Sequence, residues 1–188
     1  LHGSISLKKT DSETGVLVGG ARYGIYTEID EDGQVVEDKY LGKEFDLVTS
    51  GTDAYVTSQD LPLGIYYVKE IQSPPGYHLN ETVYKADLTS ENPVFEVDAQ
   101  DEPKKGKVII HKKDDSTPEG AIFALYKKED FENPPEDGLE IPALYATTNQ
   151  DGIAEFNNLT VGQTYVLKEY RAPEGYEMSA DKYEFIPA

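Results

Sequence analysis

The chain has 188 residues, 17 Lys+Arg against 36 Asp+Glu, and a formal net charge of −19. Such acidity argues against nucleic acid and anionic membrane surfaces as partners, and no apolar run is long enough for membrane insertion. Cysteine is absent, which excludes disulfides and thiolate metal sites, and with six Phe, one Met and no Trp the core must rest on Val, Ile, Leu and fourteen Tyr. No signal peptide is present, so the chain reads as mature or as an excised fragment.

In chain order, residues 5–9, 21–26, 65–70 and 94–97 carry β-branched or aromatic residues at period two, which predicts short strands. "SETG", "DEDG", "SPPG", "NQDG" and "APEG" punctuate the chain as turns, and no long helical period stands out. The same order then returns. "GSISLKKTD" (3–11) matches "GKVIIHKKD" (106–114), "GARYGIY" (20–26) matches "GAIFALY" (120–126), and "YVKEIQSPPGY" (67–77) matches "VLKEYRAPEGY" (166–176). A repeat of about a hundred residues predicts two tandem domains, 1–103 and 104–188, each an all-β sandwich of roughly seven strands. The junction "DEPKKG" (101–106) is short, so the domains are expected end to end with limited freedom.

Side chains alternate across a strand, so parity sorts them by face. Ile5, Leu7 and Lys9 share one face, as do Tyr66, Val68 and Glu70, and Phe95, Val97, Ala99 and Asp101. Each run is apolar and ends in a charge. The second domain repeats two of the three: Val108, Ile110 and Lys112, then Tyr165, Leu167 and Glu169. Strands reaching water at their ends, or a buried salt bridge, would account for this pattern. A chemical reading is sharper. Burial disfavours charge, a neutral amine is a nucleophile, and a protonated glutamic acid can polarise a carbonyl and shuttle protons. A fixed Lys–Glu–Asp set therefore points to an isopeptide bond between lysine and aspartate, with loss of one water.

"KKTDSETGVLVGGARYGIY" and "VKEIQSPPGY", with "GKVIIHKKDD", "GAIFALY" and "LKEYRAPEGY", resemble the collagen-adhesin B-type (CnaB) domains of Gram-positive pilins and wall-anchored adhesins. The resemblance covers nearly the whole chain. It implies transthyretin-like, Ig-like sandwiches, sortase-assembled surface proteins, and spontaneous isopeptide bonds between first and last strands. By position it implies Lys9 as amine, Glu70 as catalytic proton shuttle and Asp101 as acceptor. Asp98 is the alternative acceptor, because "VDA" also resembles the acceptor strand of some members; parity favours Asp101 unless a bulge shifts the register. Pro74, Gly76 and Tyr77, with Pro173, Gly175 and Tyr176, shape the turn after each glutamate. Implied partners are neighbouring pilin subunits or stalk domains joined by sortase, with host extracellular matrix as a further one, and the implied location is the cell wall or pilus.

In the second domain Lys112 and Glu169 are present without a matching acceptor. Far fewer residues follow Tyr176 than separate Tyr77 from Asp101, and "ADKYEFIPA" aligns with "ETVYKADLT" of the first domain. The final strand is therefore expected to be missing from this sequence, and Asp181 aligns with Thr82 rather than with an acceptor. The sequence shows neither an LPxTG signal nor a polymerising pilin lysine motif. "DEDGQ" (30–34) reads as a hairpin turn rather than a calcium loop, and His2, His78 and His111 are too scattered for a metal site. Neither metal nor cofactor is expected. The sequons "NET" (80–82) and "NLT" (158–160) carry little weight if the source is bacterial, as the resemblance implies. The primary functional expectation is a structural shaft or stalk, not a turnover enzyme; the alternative is an adhesin module that binds ligand through loops 27–50 and 127–147.

Overall fold

The computed structural model describes residues 1–51, 54–112 and 119–188, so Lys113, Asp114 and Asp115 of the second "HKKDD" lie outside the described residues. The chain divides into two units, Leu1–Pro103 and Lys104–Ala188. Each is a β-sandwich.

In the first unit, β1 (His2–Asp11), β4 (Tyr55–Thr57), β5 (Leu61–Pro62) and β8 (Val94–Asp101) form one sheet. The second sheet runs β3 (Leu47–Val48), β2 (Arg22–Tyr26), β6 (Gly64–Gln72), β7 (Tyr84–Leu88). The inward faces of both sheets supply one core: Ile5, Leu7, Val97 and Ala99 against Tyr23, Ile25, Tyr66, Val68, Ala86 and Leu88. Parity drives this arrangement, since alternate residues of β1 and β8 are the buried ones. The first and last strands lie side by side in parallel, in unbroken register from Ser4↔Val94 to Asp11↔Asp101. Parallel neighbours need a long crossover, and here the other sheet supplies it.

In the second unit, β10 (Ile122–Lys127), β11 (Leu144–Thr147), β13 (Tyr165–Arg171) and β14 (Lys182–Phe185) form a sheet in the order β11-β10-β13-β14. Against it lies a pair, β9 (Lys105–His111) and β12 (Ile153–Thr160). β14 pairs with β13 as β7 pairs with β6, in line with the alignment of "ADKYEFIPA" on "ETVYKADLT". Among the described residues, β9 pairs with β12 and has no parallel neighbour of the β1–β8 kind. Val108, Ile110 and Lys112 are accordingly half-buried, where their counterparts in β1 are fully enclosed.

The strand numbers fall either side of the roughly seven expected per domain. Among the described residues the first unit has eight strands, because β3 and β5 are two-residue pairings too short to leave a period, and the second has six. Short helical turns at Glu37–Lys39 and Lys43–Phe45, and the helix α1 (Lys128–Glu132), occupy the long loops for the same reason. "DEDGQ" is a turn: Asp30 Oδ1 accepts the Asp32 and Gln34 N–H groups inside an Ile29↔Val35 bridge.

A Gly-Ala pair opens β2 and β10 in the same way. Gly20 and Gly120 sit at φ 93° and 92°, in the left-handed region that favours glycine. The next amide, Ala21 N–H, donates to Thr49 Oγ1 at 2.9 Å, and Ala121 N–H donates to Thr148 Oγ1 at 3.0 Å. Both threonines are buried. Thr49→Val keeps the volume but leaves the Ala21 N–H unpaired in the core. It should destabilise the first unit by about 1–3 kcal/mol, read as a lower guanidinium midpoint; an unchanged midpoint would contradict this role.

Candidate functional site

The site lies at the end of the first unit's core where three strands finish. Lys9 belongs to β1, Glu70 to β6 and Asp101 to β8. All three side chains are completely enclosed, at 0% exposure for Lys9 and 1% for Glu70 and Asp101. Lys9 Nζ meets Asp101 Oδ1 directly, and Glu70 Oε1 lies 3.7 Å from the same nitrogen. The strand partner of Lys9 is Ala99, while Asp101 sits one pleat further along the same face. Lysine reaches that diagonal position across the small alanine. Asp98, the alternative acceptor, is exposed on the opposite face of β8 from Lys9, and no bulge interrupts the β1–β8 register.

A bulge does occur, on the other sheet. Arg22 pairs with Gln72 but Tyr23 pairs with Glu70, so Ile71 is the extra residue. The second unit repeats this, Ile122 pairing with Arg171 and Phe123 with Glu169. Bulges re-aim side chains beside functional sites. Here the bulge seats a buried aromatic ring directly across from each glutamate.

One oxygen of Glu70 is committed. The Asn80 backbone N–H donates to Oε2 at 2.6 Å, leaving Oε1 toward Lys9. The equivalent contact in the second unit is Ser179 N–H to Glu169 Oε2 at 2.7 Å. Burial, partly offset by that N–H and by the Lys9 charge but reinforced by Asp101, pushes the Glu70 carboxyl up to about 7. Near neutrality it therefore holds a proton for a large part of the time.

The loop after Glu70 is pinned to the strand ends. Tyr77 hydroxyl donates to Asp11 Oδ2 at 2.7 Å, and His78 N–H donates to the Glu102 carbonyl at 2.9 Å. Burial opposes charge on Asp11, but the Thr14 N–H, the Tyr77 hydroxyl and the Glu13 N–H outweigh it and hold that carboxyl below its ordinary value. Pro74, Gly76 and Tyr77 thus position the glutamate's surroundings.

Apart from the Lys9–Asp101 and Lys9–Glu70 ion pairs, five polar atoms of the cluster make no hydrogen bond of regular geometry among the described residues: Lys9 Nζ, Glu70 Oε1, both Asp101 carboxyl oxygens and Tyr23 Oη. The first four belong to residues singled out by strand parity. Tyr23 and Asn80 were not: a tyrosine in an apolar strand reads as core, and Asn80 acts through its backbone, which no side-chain pattern encodes. In the second unit, Lys112 Nζ lies 3.0 Å from Glu169 Oε1, with Glu169 buried and Lys112 partly open. A groove of about 490 Å³ opens beside them, lined by Val108, Ile110, Phe123 and Leu167. Asp181 also borders it, exposed. Among the described residues no group of His, Asp or Glu is placed to hold a metal ion, and no helix is long and apolar enough to cross a membrane.

No curated protein matches the chain. Among solved structures, the Bacillus anthracis TIE protein aligns over 100% of this chain at 25% identity and a TM-score of 0.72. The chain spans only 32% of that TIE chain. A C-terminal fragment of the pilus adhesin SpaC from Lactobacillus rhamnosus GG aligns over 100% of this chain and 82% of its own, at 17% identity and a TM-score of 0.56, a likeness of fold. The family model for the SpaA prealbumin-like fold domain matches twice, over residues 3–103 and 106–186. With one match to each sandwich, the chain belongs to the SpaA prealbumin-like fold domain family.

Proposed function

We propose that this chain is a structural shaft or stalk segment of a Gram-positive pilus or wall-anchored surface protein, and that its first unit closes itself with an amide between Lys9 and Asp101. The observation that carries the reading is the dry Lys9–Glu70–Asp101 cluster with its unsatisfied polar atoms. A buried ion pair adds little net stability, and unpartnered buried charge is strongly destabilising, so a cluster left as ions is a poor use of a core. Converting amine and carboxyl to an amide removes both charges. Family membership and the fold shared with the pilus adhesin SpaC support a place in a surface fibre, beside further pilin subunits or stalk domains.

The chemistry balances. A proton passes from the Lys9 ammonium to the Asp101 carboxylate, leaving a neutral amine and a neutral acid. The amine lone pair attacks Asp101 Cγ, forming the C–N bond and placing charge on one carboxyl oxygen. Glu70 gives its proton from Oε1 to the other oxygen, which leaves as water, and the Glu70 carboxylate takes a proton from the nitrogen. Glu70 ends as it began, and Lys9 is consumed, so the reaction is a single turnover. The folded core holds the reactants together, which removes most of the entropic barrier.

The bond joins the first strand to the last, so tension along the unit would load a covalent link rather than the β1–β8 hydrogen bonds. In the second unit, Lys112 faces Glu169 and no acceptor beside it among the described residues, and we expect no bond there.

The intact mass should lie one water below the sequence mass, and Glu70→Ala should restore the full mass. A parent chain at full mass, or one lighter by two waters, would contradict the assignment. Loss of the cross-link should lower stability by about 5 kcal/mol, the chain-entropy scale for closing a loop of roughly a hundred residues, read as a fall in the denaturation midpoint of Glu70→Ala. The acid form of Glu70 disappears as pH rises through about 7. The rate of bond formation should therefore fall on the alkaline side of neutrality, and a rate that keeps climbing well above neutral pH would exclude Glu70 as the acid.

A further inference from the structure

We propose that the Tyr23 hydroxyl is the hydrogen-bond donor that holds the oxyanion formed when Lys9 attacks Asp101, an assignment that rests on the bond-forming reading above. Tyr23 is 0% exposed, and its hydroxyl, which has the Asn80 side chain as a neighbour, makes no hydrogen bond of regular geometry among the described residues: Asn80 Nδ2 donates instead to Tyr84 Oη and the Gln100 carbonyl. Its ring centroid lies 5.5 Å from Lys9 Nζ, and its strand partner is Glu70. Asp101 Oδ1 meets Lys9 Nζ, while Asp101 Oδ2 is without a hydrogen bond. The Tyr23 donor and the Asp101 Oδ2 acceptor thus share one dry pocket.

Packing alone does not call for this hydroxyl. At the matching position the second unit uses Phe123, which pairs with Glu169 across the same bulge. An unpartnered hydroxyl in a core is destabilising, so a phenylalanine would be the better structural choice at position 23 as well. Burial and the nearby Glu70 and Asp101 charges push the Tyr23 phenol upward, so it stays a donor across the working pH range.

The reaction also needs a second donor. Attack on Asp101 Cγ creates one oxygen that carries negative charge and another that must leave as water. Glu70 Oε1 can serve the leaving oxygen, while its Oε2 is held by the Asn80 N–H. The remaining oxygen needs a donor that keeps its own proton, and this is the role assigned to Tyr23 Oη. No proton transfer from Tyr23 is required: its O–H bond stays intact as charge builds on the carboxyl oxygen and drains when the C–O bond breaks. Donors of this kind are most effective where water is excluded.

The test is Tyr23→Phe. Parent and variant chains, recovered unfolded and un-crosslinked from inclusion bodies, are refolded by dilution, quenched in acid at intervals, and weighed. Formation of the species one water lighter should be slower in Tyr23→Phe by about 10²-fold, the scale for loss of one oxyanion donor. In a Glu70→Ala background, where no bond forms, adding Tyr23→Phe should leave the melting temperature unchanged or raised. An unchanged time course overturns the proposal. So does a slower one accompanied by a lower melting temperature in that background, since Tyr23 would then serve the fold. A parent chain that never loses water overturns the underlying reading, and this assignment with it.

Discussion

The first unit is organised around one awkward constraint: a lysine amine enclosed in an apolar core between two carboxyl groups. Taking Lys9, Glu70 and Asp101 out of water is costly, and the arrangement persists only because three strands are fixed well enough to impose it. The unbroken parallel register of β1 and β8 brings Lys9 and Asp101 to the same end of the sandwich. The bulge at Ile71 turns Glu70 and Tyr23 toward each other. The Tyr77–Asp11 and His78–Glu102 contacts close the loop that carries Asn80 to Glu70. Each feature would be a minor detail of a β-sandwich elsewhere; here they meet at one nitrogen atom.

The second unit shows the same design with one side open. Its lysine and glutamate pair at 3.0 Å, and its backbone N–H holds the glutamate's other oxygen just as in the first unit. What differs is enclosure. Without a parallel neighbour for β9 among the described residues, Lys112 keeps contact with the groove. The contrast separates the parts of the site that β1, β2 and β6 and their counterparts supply from the part that β8 supplies, namely Asp101 and the final layer of burial.

Much of this was legible in the sequence because strands have a strict period of two. Ile5, Leu7 and Lys9 fall on one face whatever the rest of the fold does, and the same parity chose Asp101 over Asp98. The repeat exposed the lysine and glutamate a second time. Legibility stopped where tertiary pairing takes over. The bulge opposite Glu70 leaves no mark in "YVKEIQ", so nothing in the sequence placed Tyr23 across from the glutamate. Asn80 read as part of a sequon, yet its contribution is a backbone N–H, common to every residue but proline. The short pairings β3 and β5 and the helical turns in the loops were too brief to carry a period.

The central claim is that Lys9 and Asp101 are one covalent unit. Peptide mapping by tandem mass spectrometry tests this most directly. The account predicts a branched tryptic peptide in which the Lys9 side chain is joined to the Asp101 side chain, with no cleavage after Lys9. Recovery of linear peptides cut after Lys9, with Asp101 unmodified, would contradict it; a branch at Asp98 would contradict the parity argument on which the site was built.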